Sequence, residues 1–585
     1  MSLTVMAQKQ TDLARMALDQ PTHRFTNLYR LMHWGEWIES AAERVLARPG
    51  SSTAGVDGKT RNTFKKHHAE YLEALVTTLK DRTYTPIPVR RVYIPKSNGT
   101  LRPLGIPALK DRIVQEALRA ILDPIFESDF RPHSYGFRLG RRTMDAIAVV
   151  MPLFNEKCEH FYVIEGDIQS YFDTVHHRKL LSLLKRRIAD KDIITLVWKF
   201  LKAGVMEDGL FARTDKGVPQ GGVISPLLSN IYLHELDKWA DARWNLTAYQ
   251  RQRRRSSGQG NYQMVRYADD FVIVSNDTIA NVRAVKEQVR DFLATALHLT
   301  LSEEKTRITH VNDGFDFLGF TVQRVKLEGR TAVHLRPSEK GQDRICAKLT
   351  DLTTRGWTWM DEYTRMTTLN AVARGWAEYY RHTSLLSDIE HVTRHVWHRY
   401  LLWLLKKHKG SRKHTLITEK TRLIHGRTRW TAEIREGEST LSAYQWLPTK
   451  WEYKRSRYLQ KGRNGFPHPY LSSEAIEDAD YPMGEHGPDE SIYTATVGAS
   501  SRRDEPLIMA ERKLRVKLRD GLRCTQCGGT DKLRVHHTKG TRTHRPNSLV
   551  TVCLECHNAA HHYRTSRPNG EPDAMKVASP VRREG

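Results

Sequence analysis

The stretch MVRYADDFVIV, residues 264–274, sets two adjacent carboxylates between two apolar runs. Met264, Val265 and Tyr267 lead in, and Phe271, Val272, Ile273 and Val274 lead out. Both flanks read as short buried strands, which places Asp269 and Asp270 at a tight hairpin. Ionised carboxylates at the edge of a buried sheet are costly unless a cation or a solvated turn offsets them. Any fold for this chain has to present that hairpin where one of the two is available.

A third carboxylate lies upstream in FYVIEGDIQSYFDTV, residues 161–175. Phe161 to Ile164 read as a strand, and Asp167 falls at or near its end, a place where Asp also commonly caps a following helix. An Asp leaving one strand and an Asp pair at a neighbouring hairpin can converge on one spot. Divalent metal would relieve the repulsion of three gathered carboxylates, and hard oxygen ligands favour Mg²⁺. Two such ions can activate a 3′-hydroxyl and stabilise a leaving pyrophosphate, which is phosphoryl transfer at a nucleic-acid end.

Charge points the same way. The 585 residues carry 93 Lys+Arg against 67 Asp+Glu, a net +26, so a large polyanion is the expected partner. An anionic membrane is the rival, but no apolar run of about 18 residues is present to span one. The N-terminal segment lacks the basic-then-apolar layout of a secretory signal, which predicts a cytosolic protein with reduced thiols. Of six cysteines, Cys158 and Cys346 read as ordinary buried thiols. Cys524 with Cys527 and Cys553 with Cys556 form two C-x-x-C pairs, the pattern of a structural Zn²⁺ with four thiolate ligands.

The length predicts several domains. Residues 1–50 read as helical and end in a turn-rich stretch. Residues 60–325 mix helical periods with strands, and residues 337–410 turn helical. There Leu369, Val372, Trp376, Tyr379 and Tyr380, and then Val392, Val396, Tyr400 and Leu404, recur at three- and four-residue spacing. RQRRRSSGQGN, residues 251–261, reads as a basic, flexible insertion able to meet phosphates. SSEAIEDADYPMGEHGPDE, residues 472–490, reads as a linker.

YADD, the D-I-x-x-x-F of Asp167 to Phe172, and GVPQGGVISPLLSNIYL at 217–233 stand in an order and spacing that resembles a reverse transcriptase of the type encoded by group II introns. The resemblance extends upstream through VYIPKSNGTLRPLGIP and downstream through LSEEKT and FLGF. LNAVARGWAEYYR resembles the maturase, or thumb, region of these proteins, and the tail resembles the HNH endonuclease module that many of them carry. It covers nearly the whole chain from about residue 50.

The fold implied is a multidomain α/β right-hand polymerase with a YADD hairpin, a helical thumb and a small ββα-metal zinc module at the C-terminus. Its expected parts are an N-terminal helical extension (1–50), fingers and palm (51–330), thumb/maturase (331–435), a DNA-binding segment and linker (436–506) and the HNH domain (507–585). By the same resemblance Asp167, Asp269 and Asp270 are catalytic, and with Ile168 they hold two Mg²⁺. Phe172 is the bulky gate against a ribose 2′-hydroxyl. Lys96 and Arg102 receive the incoming triphosphate, Gln220 contacts the nucleotide beside Gly221, and Lys305 protonates the leaving pyrophosphate. FLGF resembles the primer-grip strand.

In the tail, HNH likeness makes His537 the general base. It makes His536, His557 and His561 ligands of a catalytic Mg²⁺, and Asn547 the orienting residue; spacing leaves His536 and His537 interchangeable. The activities implied are RNA-directed DNA synthesis, maturase-assisted splicing and site-specific DNA cleavage, joined in retrohoming by target-primed reverse transcription. The expected partners are intron RNA, target DNA and deoxynucleoside triphosphates, with a homodimer left open. The setting is the bacterial cytoplasm, near the nucleoid, or an organelle. Two other readings are a stand-alone reverse transcriptase of retron or defence type and a non-enzymatic splicing factor.

Overall fold

The structure, a computed structural model, describes residues 2–95, 101–155, 160–207, 209–327, 330–384, 386–436, 439–447, 468–471, 534–537 and 549–552. The chain divides into two compact units, residues 1–45 with 52–498 and residues 46–51 with 499–585.

In the larger unit, strands β1 (Val89–Pro95), β2 (Leu101–Ile106), β3 (Tyr162–Gly166), β4 (Val205–Glu207), β5 (Leu210–Ala212), β6 (Tyr262–Tyr267), β7 (Asp270–Ser275) and β8 (Arg307–His310) interleave into two sheets. One has the order β2-β1-β4-β5 and the other β6-β7-β3-β8. The second is antiparallel throughout. Its central strands are the near-continuous apolar runs seen in the sequence. Val163, Ile164 and Phe271 to Val274 are all buried, as strands covered on both faces require.

Helix α1 (Ser2–Asp19) lies along α2 (Leu109–Glu127), with the Gln10 side chain donating to the Ala120 carbonyl at 2.9 Å. Trp37, also fully buried, donates to the Ala117 carbonyl at 3.0 Å. The N-terminal residues are therefore helical, as expected, and pack on α2. His468 to Leu471, within the 436–506 segment, pack here too. The Tyr470 hydroxyl donates to Asp123 at 2.7 Å, and Thr11 donates to the Tyr470 carbonyl at 3.0 Å.

Helix α3 (Ser225–Trp244) runs behind β6. Residues 248–256 differ from expectation. The arginine run is helix α4 (Ala248–Ser256), opened by a Thr247–Gln250 capping box. Arg and Gln favour helix once a cap satisfies the first turn; the high charge says only that its face is solvated.

Strands β9 (Phe315–Phe317), β10 (Phe320–Leu327) and β11 (Arg330–Pro337) form a third sheet. FLGF is a hairpin rather than a strand: Phe317 pairs with Phe320, and Leu318 and Gly319 turn the chain at φ +52 and +76. Helices α5 (Glu339–Asp351), α6 (Glu362–Tyr379), α7 (Leu386–Lys407) and α8 (Lys413–Lys420) follow. Their stripes are the predicted ones. Leu369, Val372, Trp376, Tyr380, Val392, Val396, Tyr400 and Leu404 are each no more than 2% exposed.

The helical reading of the thumb stops short of a small sheet, β12 (Thr421–Ile424), β13 (Arg427–Glu436) and β14 (Ser439–Tyr444), which crosses the expected boundary at 435. Its first turn, His425-Gly426, has φ +52 and +71, the pattern of a two-residue primed hairpin. Buried Trp430 packs tilted against Trp397 and edge-on to Tyr400, with ring centroids at 5.0 and 5.6 Å.

In the smaller unit, β15 (Arg534–His537) pairs antiparallel with β16 (Leu549–Val552) in the register His537↔Leu549. No helix among the described residues is long and apolar enough to cross a membrane.

Candidate active site

Strands β6 and β7 pair down to Tyr267↔Asp270, which leaves Ala268 and Asp269 as a two-residue turn. Ala268 has φ +56, a conformation disfavoured for a residue with a Cβ and held only where its surroundings impose it. Arg266, fully buried, supplies much of that constraint. Its guanidinium donates to both Asp237 oxygens (2.7 and 2.5 Å), to Asn230 (3.1 Å), to Ser134 (2.7 Å) and to the Ala268 carbonyl (2.7 Å). Every N–H of the fork is thereby used. Asn230 in turn donates to the Gly136 carbonyl at 2.8 Å. Residues 133–136 run along β6, with Tyr135 N–H on the Arg266 carbonyl at 2.9 Å. A Cβ on Gly136 would lie 2.2 Å from the Ala268 nitrogen, so only glycine lets this segment back the turn.

Burial alone would raise the Asp237 carboxyl. The Arg266 guanidinium overrides this and holds Asp237 well below the usual carboxylate range.

Asp167 follows β3, whose register with β7 ends at Gly166↔Phe271. Gly166 cannot carry a side chain, because a Cβ there would enter the Phe271 ring at 2.1 Å. Asp167 accepts from the Lys305 ammonium at 3.2 Å, and its carbonyl receives Ser302 N–H at 2.8 Å. The half-buried Asp269 carboxyl is raised, first by burial and then by the charge of Asp167, against a main-chain hydrogen bond and the opposing charges of Arg102 and Arg266. Asp167, Asp269, Arg102 and Lys305, drawn from four separate sequence motifs, thus meet at one end of the sheet.

Among the described residues no three His, Cys, Asp or Glu side chains gather closely enough to hold a metal by themselves. Asp167 and Asp269 are nonetheless a like-charged pair of hard oxygen donors, and Mg²⁺ commonly takes only one or two carboxylates and completes its shell with water and substrate phosphate. The pair fits that ion. Ile168, buried beside Leu301, has only its carbonyl to offer.

Phe172 is 4% exposed on a one-turn helix, Tyr171–Thr174, with its carbonyl accepting Val218 N–H at 2.7 Å. Gln220 is fastened through its carbonyl to Gly105 N–H at 2.7 Å, and its side-chain oxygen is buried without a partner among the described residues. Gly221 has φ +103, and a Cβ there would press on the Gly105 carbonyl at 2.7 Å. Lys96 lies outside the described residues, as do Cys158, Cys524, Cys527, Asn547, Cys553, Cys556, His557 and His561. His536 and His537 are neighbours on β15. Cys346, expected as a buried thiol, is free and half-buried.

Sequence reasoning missed Arg266, Asp237, Asn230, Ser134 and Gly136. The signal available was an arginine inside an apolar strand, which demands a buried partner; nothing local names Asp237 as that partner. It also missed how the FLGF hairpin meets a later helix. The hydroxyls of Tyr379 and Tyr380 on the GWAEYYR helix donate to the carbonyls of Leu318 and Gly319 at 2.9 and 3.1 Å, so two of the quoted motifs clasp each other.

Residues 94–322 match the reverse transcriptase (RNA-dependent DNA polymerase) family, and residues 342–421 match the group II intron, maturase-specific domain. Protein YkfC of Escherichia coli is 43% identical over 371 residues, 60% of this chain and 96% of that protein. The group II intron-encoded protein LtrA of Lactococcus lactis is 30% identical over 463 residues, 67% of this chain and 76% of that protein. The putative COX1/OXI3 intron 1 protein of Saccharomyces cerevisiae is 32% identical over 340 residues, 52% of this chain and 40% of that protein. With a braced carboxylate hairpin in the first matched segment and the tyrosine clasp leading into the second, the chain belongs to the group II intron-encoded reverse transcriptase/maturase family.

Proposed function

We propose that the chain is an RNA-directed DNA polymerase that also binds its group II intron RNA and assists its splicing. The observation that carries the polymerase reading is the Asp167–Asp269 pair, held at one sheet end by the Arg266 brace and flanked by Arg102 and Lys305. Asp167 and Asp269 would hold Mg²⁺, with Asp270 and the Ile168 carbonyl beside them. When bound, the ion supplies charge that activates a primer 3′-hydroxyl and steadies pyrophosphate. Arg102 and Lys96 receive the triphosphate of a deoxynucleotide, and the unpartnered Gln220 oxygen accepts a hydrogen bond from it. Phe172 presents its edge to the sugar and excludes a 2′-hydroxyl. Lys305 leaves Asp167 to donate its proton to pyrophosphate. The test is primer extension by the full chain on an RNA template with deoxynucleotides: DNA product is expected, and none under any divalent ion would overturn the reading.

RNA binding is supported by the net charge of +26 and by exposed cations on α4 and α6. Arg374 is exposed and Arg381 half-buried beside Glu378, whereas Tyr380 is core and should be left intact. Replacing both arginines by Ala should weaken intron RNA binding about tenfold, as loss of two phosphate contacts would, and slow splicing at low Mg²⁺ with melting unchanged. Splicing at the wild-type rate would place the maturase surface elsewhere.

The tail is proposed as an HNH nuclease, with Cys524, Cys527, Cys553 and Cys556 on Zn²⁺, His537 as general base, His536, His557 and His561 on a catalytic Mg²⁺ and Asn547 orienting the loop. It would nick target DNA and so provide the primer for retrohoming. Metal analysis should find zinc in the purified chain and its loss in Cys524→Ser; zinc retained by that variant would reject the four-thiolate site.

A further inference from the structure

The connection between α5 and α6 carries RGWTWMD, residues 355–361, and two of its features are unusual together. Trp359 is 73% exposed, while Arg365, one turn into α6, is 1% exposed. The Arg365 Nε and one terminal nitrogen have no hydrogen-bond partner among the described residues. Buried donors left without a partner are costly, so something must offset them. What faces the guanidinium is aromatic: its carbon lies 4.9 Å from the Trp357 ring and 5.9 Å from the Trp403 ring.

The Lys407 ammonium lies 5.4 Å from the Trp403 ring and donates to the carbonyls of Thr358 and Met360 at 3.0 and 2.8 Å. Trp357 is followed by Trp359 at 6.2 Å between centroids and 33° between planes. The result is a continuous series of contacts, Lys407–Trp403–Arg365–Trp357, in which cations alternate with rings, and Trp359 lies tilted against its outer end. The inner end of the series is buried and tied down. The Trp359 indole is open to solvent.

The local charge selects what can sit there. The nearby carboxylates are already engaged. Asp361 caps α6 through Thr364 N–H at 2.7 Å, and Glu362 accepts from His408 and Lys420 at 2.6 and 3.0 Å. Arg355 on the same turn and Lys406 beside Lys407 are exposed. A flat aromatic ring attached to a polyanion matches an exposed indole on a cationic part of the surface. An unpaired base has that chemistry, and unpaired segments are where RNA exposes base faces for stacking.

We propose that Trp359 is a stacking platform for an unpaired RNA base, stiffened from behind by the Arg365–Trp357–Trp403 contacts, with Arg355 and Lys406 meeting the adjoining phosphates. This deepens the maturase reading and rests on it only for the identity of the natural RNA.

The test uses the full chain and a 5′-labelled single-stranded oligouridylate bearing one 5-iodouridine, with a blunt RNA duplex of equal length as control. Irradiation should cross-link the iodouridine to the peptide containing Trp359. Trp359→Ala should bind the single strand about tenfold more weakly, the loss of one base–aromatic stack. Its salt dependence should be unchanged, because no charge is removed. Trp359→Phe should recover most of the affinity and Trp359→Leu should not, and duplex binding should be the same in all.

Cross-linking only elsewhere, unchanged single-strand affinity in Trp359→Ala, equal loss on the duplex, or recovery by Leu would each overturn the platform. The cross-link is read on wild-type protein, so it decides even if a variant folds poorly. A chain that shows this Trp359 dependence but fails to promote splicing keeps the platform and loses the maturase reading.

Discussion

Replacing Asp269 by Asn is expected to abolish DNA synthesis and leave the fold intact or slightly more stable. The carboxyl is half-buried at a turn, close enough to Asp167 to be raised by its charge as well as by burial. A group whose folded pKa lies above its unfolded value destabilises the native state once it ionises at higher pH, so a neutral amide removes that penalty. The same amide removes one of the two negative donors proposed for Mg²⁺. Loss of a single electrostatic partner typically costs a factor of about 10² to 10³ in rate, and loss of a metal donor should cost at least that. Primer extension and thermal melting of the same preparation check both halves. Extension at the wild-type rate would remove Asp269 from the chemistry.

The Arg266–Asp237 pair should show the largest effect on stability. Both side chains are fully buried, and Asp237→Ala leaves the guanidinium uncompensated. Removing one partner of a buried pair costs about 3–5 kcal/mol. The melting temperature should therefore fall by about 5 to 15 °C. Polymerase activity should fall further than folding explains, because the same guanidinium holds the Ala268 carbonyl of the turn proposed to be catalytic. Asp237→Ala with Arg266→Met should regain much of the stability but little of the activity, since the apolar side chain fills space without donating to the turn. The pH dependence follows in sign. Because the Asp237 folded pKa is depressed, the pair contributes fully above the unfolded carboxylate value near pH 4 and is lost only as pH falls below it. Melting measured from pH 7 to 3 on wild type and the double variant checks this; equal acid sensitivity in the two would show that the pair is not the origin.

These two residues also mark where the sequence stops being legible. The YADD hairpin could be read because each strand's apolar run is local, and the thumb helices because their stripes keep a helical period over many turns. Asp237 stands 29 residues before Arg266 on a different element, and no local pattern couples them. The arginine run at 251–255 looked flexible because charge was read as disorder, although Thr247 and Gln250 supply a helix start. Strands β12 to β14 alternate Arg, Thr and Glu with few large apolar residues, so their pattern is weak, and the His425-Gly426 turn was the usable cue. Of the proposed site, Asp167, Asp269, Arg102 and Lys305 lie near one another at one sheet end. The brace behind them is a tertiary fact.

Polymerisation and splicing support are proposed to use separate surfaces of one chain, and a single reaction reads both. Precursor intron RNA at low Mg²⁺, an annealed primer and deoxynucleotides are incubated with wild type or with Asp269→Asn, and spliced RNA and new DNA are quantified from the same tube. Wild type should yield both products. Asp269→Asn should splice at the wild-type rate and make no DNA. DNA synthesis by the variant, or loss of both products from a variant that melts like wild type, would contradict the assignment of the carboxylate hairpin to polymerisation alone.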